Sequence, residues 1–378
     1  MLDQATTGTR QRPKAQAAKP QPQQTVLVFQ GGGALGAYQA GVYQALHEAH
    51  IEPDWIIGTS IGAINASLIA GSEPGDRLAR LEEFWQRMTR KEFWGPGGFT
   101  DTMAYWTTVF GGIPGFFKPN PAAFLGQHYH LGSDNAGYYS TEPLQKTLNE
   151  LVDFSIVTRN TPRLTVGAAH VRSSRMHYFD SRETEITAAH IMASGALPPA
   201  FPPVRIDGEL YWDGGILSNT PTEAIFEDNP RRNSLIFAVH MWNPMGPEPD
   251  TIWEVLDRYK DIQYSSRVAS HINRQRQIHK LRHVISELAR HIPDAVRKDQ
   301  MIADLSAYGC LTKMHVVRLL APRLENENHT KDIDFSPEGV GRRWEAGYAD
   351  TSRVLQRKAW EDACDPLEGI ILHEQETD

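Results

Sequence analysis

Apolar side chains first gather at Val26, Leu27, Val28 and Phe29, an unbroken run that stops abruptly at glycines, as a strand buried on both faces does. Upstream, Met1 to Gln24 is rich in Gln, Pro, Ala, Thr and Lys and has almost no large apolar residues. Such a segment cannot offset its ordering entropy, so residues 1–24 are expected to be a disordered tail. Downstream, the pattern predicts a helix over Ala37–Ala49, a short strand at Trp55–Ile57, a turn at Gly58–Gly62 and a helix over Ala63–Ala70. Leu164–Ala169 and Met176–Phe179 read as paired strands, followed by a helix at Ala188–Ser194 that the proline cluster 198–203 stops. An Asp207-Gly208 turn then leads to a strand at Leu210–Trp212, and Leu235–Val239 is a further apolar strand. Strands alternating with helices predict a layered α/β fold, with helices covering a mostly parallel sheet.

Two regions break this rhythm. Phe93 to Phe124 sets Trp94, Phe99, Tyr105, Trp106, Phe110, Phe116 and Phe117 among glycines and prolines, and the stretch 93–139 is expected to be an insertion that covers an acyl pocket. From Ile252 to Ile292 the pattern turns helical, with Ile278, Leu281, Ile285, Leu288 and Ile292 forming a stripe that calls for a packing partner. One more strand, Val316–Leu320, and a helix opened by Ser336 and Pro337 complete the tail. The expected division is a core domain over 25–245 and a mainly helical extension over 246–378.

Composition narrows the class. The chain has 378 residues, a formal net charge of -8 and two cysteines, Cys310 and Cys364. The negative balance argues against nucleic acid as a partner, and the cysteine count against a disulfide framework or a structural zinc site. Neither an apolar run following the N-terminal cations nor a stretch of about 18 apolar residues occurs, so a cytoplasmic protein is expected, peripheral at most to the inner face of a membrane. The cations Arg258, Lys260, Arg267, Arg274, Arg276, Lys280 and Arg282 offer such a surface a face, and a homo-oligomer built through the apolar stripe is the rival use of that region.

Three motifs carry chemistry. Gly58-Thr59-Ser60-Ile61-Gly62 joins a strand to a helix, where G-x-S-x-G holds a nucleophilic serine on a strained turn; Gly58 and Gly62 flank that elbow. Gly31, Gly32, Gly33 and Gly36 follow the first strand and open a helix, so their amides suit an oxyanion hole. The same glycines also satisfy the dinucleotide fingerprint G-x-G-x-x-G, but Glu52 and Asp54 lie before the second strand instead of at its far end, where a ribose-binding acid belongs. Asp213-Gly214-Gly215 follows a strand and places a carboxylate on an open loop, as a general base requires.

Taken in order, these three motifs resemble the patatin-like phospholipases, and Ser194, Pro198, Asn219 and Pro221 match the segments around the family's Asp loop, over about Thr25 to Asn243. The resemblance implies a three-layer patatin-type fold and a serine lipid acyl hydrolase that cleaves carboxylic esters through a Ser-Asp dyad and an acyl-enzyme. It implies Ser60 as nucleophile, Asp213 as base, the loop around Gly32 and Gly33 as oxyanion hole, a lipid or acyl-ester substrate, and no cofactor or metal. One departure is Leu35, which stands where many members carry Arg or Lys. Three rivals remain at this point: a Ser-His-Asp esterase or thioesterase using His170 or His240, a non-catalytic acyl-lipid-binding protein, and the dinucleotide binder.

Overall fold

The computed structural model of the chain describes residues 22–89, 111–113, 115–265, 268–324, 327 and 329–374. The expected tail up to residue 21, the aromatic stretch 93–110 and Arg267 lie outside them.

The first strand, β1 (Gln24–Phe29), shows why the sheet is central. Leu27 and Phe29 enter one apolar core and Val26 and Val28 another, so alternate side chains are buried on opposite faces. β2 (Trp55–Thr59) does the same with Ile56 on one side and Trp55 and Ile57 on the other. Beyond a small ribbon, β3 (Lys118–Pro119) with β4 (Tyr139–Ser140), the remaining strands are β5 (Arg163–His170), β6 (Arg175–Asp180), β7 (Val204–Ile206), β8 (Glu209–Asp213), β9 (Ser234–His240), β10 (Met314–Leu320) and β11 (Ile370–Glu374). β11, β10, β9, β1, β2 and β5 run parallel in that spatial order; β6, β7 and β8 are antiparallel additions. This is the expected mostly parallel sheet between helical layers. The Asp207-Gly208 turn, with both residues at positive φ, links β7 to β8 as expected.

On the first face lie α1 (Ala37–Glu48), α2 (Ile61–Ala70), α3 (Arg77–Met88), α4 (Glu142–Leu151) and α5 (Ala188–Ser194). α6 (Ile252–Ser265) and α7 (Val268–Arg290) follow β9, and Ile272 of α7 belongs to the core of the second face. The last helix, α8 (Pro337–Arg357), is capped by the Ser336 hydroxyl, which accepts from the Gly339 amide, and packs back onto α1. Gly41 and Gly347 let those two backbones touch, because a Cβ at either would collide with a carbonyl of the other helix.

Two expectations change. The stripe from Ile278 to Ile292 is not the packed face of α7: Leu281 and Leu288 are each 63% exposed, whereas Ile272, His279 and His283 are buried. His279 and His283 lie against Gly369, and His283 reaches the Thr312 carbonyl, so imidazoles fill a seam that periodicity assigned to aliphatic residues. Second, the segment after residue 245, mainly helical as expected, does not stand apart as an extension: its expected strand joins the main sheet as β10, and β11 adds to it.

Candidate active site

The site is set by strand register. Along one edge of β5, β2 pairs in parallel up to Thr59 opposite Gly167, and β8 pairs antiparallel from Asp213 opposite Ala168. β6 occupies the other edge. β2 and β8 therefore meet head-on along β5, and their C-terminal ends bring Ser60 and Asp213 together although 153 residues separate them.

Ser60 leaves β2 with φ 57 and ψ -125, a backbone that L-residues rarely adopt and that costs about 1–3 kcal/mol. The surroundings enforce it. The Ser60 amide donates to the Ser194 hydroxyl at 3.0 Å, and that hydroxyl donates to the Gly167 carbonyl at 2.6 Å, so α5 ties the elbow to β5. Gly62 is needed for space, since a Cβ there would strike the Phe29 carbonyl.

Asp213 is 3% exposed. Burial pushes its carboxyl up to about 6, against the lowering influence of the Ser60 hydroxyl and of the Gly215 amide, which donates to it at 2.7 Å. A carboxylate poised near neutrality beside a serine hydroxyl can take that proton.

The glycine loop divides in function. Gly31 donates its amide to the Asn219 carbonyl at 3.2 Å, and Gly36 abuts Ile61 and Trp85 away from the cavity, so neither offers a free donor there. The sequence placed both with the oxyanion donors because glycine spacing does not distinguish close packing from anion binding. Gly32 and Gly33 open a short 3-10 turn, where the first amides have no acceptor within the helix. Gly33 has φ +56 and fits beneath the Asp332 carbonyl, which accepts the Ala34 amide at 2.8 Å.

These groups open into a cavity of about 210 Å³. Its walls are apolar: Ile61, Ile64, Phe116, Phe117, Tyr139, Leu197, Phe201, Ile333 and Phe335. Phe116 and Phe117 come from the stretch expected to cover an acyl pocket. Tyr264, Asp332, Ile333 and Phe335 come from the segment after residue 245, which carries none of the three motifs. Burial, then Asp213 and Asp332, raise the Tyr264 hydroxyl to about 12, so it stays protonated. Leu35 does not line this cavity.

Among the described residues no histidine lines it either. His170 bonds Ser173 and Glu209. His240, buried at the end of β9, is lowered to about 3 by burial and by Arg318 and is neutral. Glu52 is held by Arg77 and His47, and Asp54 accepts the Thr25 amide at the start of β1, the end of the sheet away from Ser60. Neither acid stands where a ribose would need it.

A chain with this strand register, elbow and glycine loop can be compared with known proteins. The family model for patatin-like phospholipase matches residues 27–226, more than half of the chain. The chain belongs to the patatin-like phospholipase family. A second model, described as patatin phospholipase, matches residues 262–367, so the family likeness extends through α7, β10 and α8. Among relatives, patatin-like phospholipase domain-containing protein 7 of Mus musculus is 27% identical over 197 residues, 52% of this chain and 12% of that protein. Lysophospholipase nte1 of Aspergillus terreus is 27% identical over 256 residues, 61% of this chain and 14% of its own length. An NTE family protein of Mycobacterium tuberculosis is 27% identical over 205 residues, 53% of this chain and 28% of that one. The chain thus spans little more than a quarter, at most, of these relatives. VipD from Legionella pneumophila aligns with a TM-score of 0.38 at 16% identity, covering 89% of this chain and 67% of that one.

Proposed function

We propose that this patatin-like protein is a lipid acyl hydrolase in which Ser60 and Asp213 form the catalytic dyad. The observation that carries the reading is the strand register that brings Ser60 and a buried Asp213 carboxyl, raised to about 6, together in the lining of one largely apolar cavity.

As a substrate ester enters, its acyl chain lies along the aromatic wall. The Ser60 oxygen attacks the carbonyl carbon while Asp213 accepts the hydroxyl proton, and the amides of Gly32 and Gly33 hold the oxyanion. Asp213 returns the proton to the departing alcohol oxygen, leaving an acyl-Ser60 ester. Water, deprotonated by Asp213, then attacks that ester, and Asp213 returns the proton to the Ser60 oxygen as the fatty acid leaves. The aromatic wall and the raised Asp213 favour an uncharged acyl group in the cavity, with any polar headgroup at the mouth.

The test compares wild type, Ser60→Ala and Asp213→Asn on short aryl esters and on mixed phospholipids, with fluorophosphonate labelling alongside. Both variants should fold and lose at least about a thousandfold in kcat, and Ser60→Ala should lose the label, whereas His170→Ala and His240→Ala should keep turnover. Turnover surviving in Asp213→Asn, or lost in either histidine variant, would give the base to another group. An unlabelled, inert wild type would favour the acyl-lipid-binding reading.

A further inference from the structure

Two buried side chains converge on one carbonyl of the glycine loop. Trp242 Nε1 donates to the Gly31 oxygen at 2.8 Å, and Asn219 Nδ2 donates to the same oxygen at 3.1 Å. A carbonyl has two lone pairs, and both are thereby occupied. Asn219 also grips Gly31 from its other side, because its own carbonyl accepts the Gly31 amide. Trp242 is itself fixed: it is 2% exposed, its amide donates to Gln30 Oε1 at 3.1 Å, and its ring lies 4.9 Å from that of Tyr264.

The Gly31 oxygen and the Gly32 amide hydrogen belong to one planar peptide unit, and in a trans peptide they point in opposite directions. Holding the oxygen against Trp242 and Asn219 therefore turns the Gly32 N–H the other way, into the space beside Ser60. The constraint matters because a peptide between glycines rotates at little steric cost. Rotated, it would present oxygen lone pairs to a developing anion instead of a donor.

We infer that Trp242 and Asn219 are positioning residues that aim the Gly32 amide at the oxyanion, an assignment that rests on the hydrolase reading of this cavity. Neither residue takes part in proton transfer. Their contribution is exerted at the tetrahedral stage, where charge on the substrate oxygen is greatest, and little of it is felt in the ground state. It follows that their loss should appear in kcat and in the affinity for a transition-state analogue, and only weakly in KM.

Trp242→Phe keeps the ring and deletes one donor; Asn219→Ala deletes the other. Each should lower kcat on a short aryl ester about tenfold with KM within about twofold, and weaken a trifluoromethyl ketone inhibitor by the same factor. The double variant should approach the ~10²–10³ loss seen when an oxyanion donor is removed outright. The acid limb of the Trp242→Phe pH profile should stay where wild type has it, because Asp213 is untouched. A raised KM with kcat and ketone affinity unchanged would mean that Trp242 is only cavity wall, and would overturn the inference; so would two variants equal to wild type. If Trp242→Phe fails to fold, Asn219→Ala decides by the same readouts. A wild type inert to ester and fluorophosphonate would instead sink the hydrolase reading. Amide exchange over residues 31–34 would then still judge the pin, since it should quicken in Trp242→Phe and equal rates would remove it.

Discussion

The proposed base, Asp213, carries an energetic cost in one side chain. Its carboxyl is raised from an ordinary value near 4 to about 6, so it is protonated in mild acid and cannot then serve as the proposed base. Hydrolysis of a short ester should therefore rise tenfold per pH unit below a midpoint near 6 and level off above it, as a pH-rate profile with saturating substrate will measure. Stability runs in the opposite sense. The folded state holds this proton more tightly than the unfolded chain, so the protein loses stability as pH climbs from about 4 through about 6, and above that carries a penalty of roughly 2–3 kcal/mol. Asp213→Asn should accordingly resist urea better than wild type at pH 8, with little difference at pH 4. Equal midpoints at both pH values would mean that burial does not strain this carboxylate. The serine, the aspartate and the glycine loop were all legible in the sequence, because each sits in a short motif beside a strand end. Gln30, Asn219 and Trp242 were not legible as a set. Asn219 and Trp242 lie 188 and 211 positions from Gly31, and only the end of the sheet brings them onto that segment, where Gln30 holds the Trp242 amide.

Elements decide whether those residues meet. β2 and β8 were each readable from their apolar runs, yet nothing in either run announces that they end against consecutive residues of β5. Ser194 seals that junction from α5, accepting from the elbow amide and donating to the Gly167 carbonyl. Ser194→Ala leaves two buried backbone groups unpaired, which should cost about 1–3 kcal/mol in a denaturation experiment and lower kcat about tenfold through a slack elbow. Full activity in a stable Ser194→Ala protein would contradict this. The contact between α1 and α8 makes a similar demand. Gly41→Ala gains about 1 kcal/mol in helix propensity but drives a methyl into the Trp344 carbonyl, so a net loss of about 1–3 kcal/mol is expected from urea midpoints. Where periodicity misread an element, in α7, the reason is that it counts aliphatic side chains and is blind to a histidine that serves as packing.

At the scale of the molecule, the expected boundary near residue 245 falls inside a continuous sheet. β10 covers one edge of β9, α8 lies on α1, and the cavity takes Tyr264, Ile333 and Phe335 from beyond that point. A protein ending at residue 245 should be insoluble or molten, which sedimentation and thermal unfolding will show; a soluble, cooperatively unfolding, active fragment would restore the boundary. The long reach between α1 and α8 also bears on how the chain matures. Gln44 and Trp344, joined by a hydrogen bond, lie 300 positions apart, so at ~5–20 residues per second a ribosome needs roughly 15–60 s to deliver the second after the first. Throughout that interval the face of α1 that carries Gly41 and Gln44 is without its final partner. The proposed hydrolysis waits on the same docking, because Ile333 and Phe335, which complete the cavity wall, are made long after Ser60.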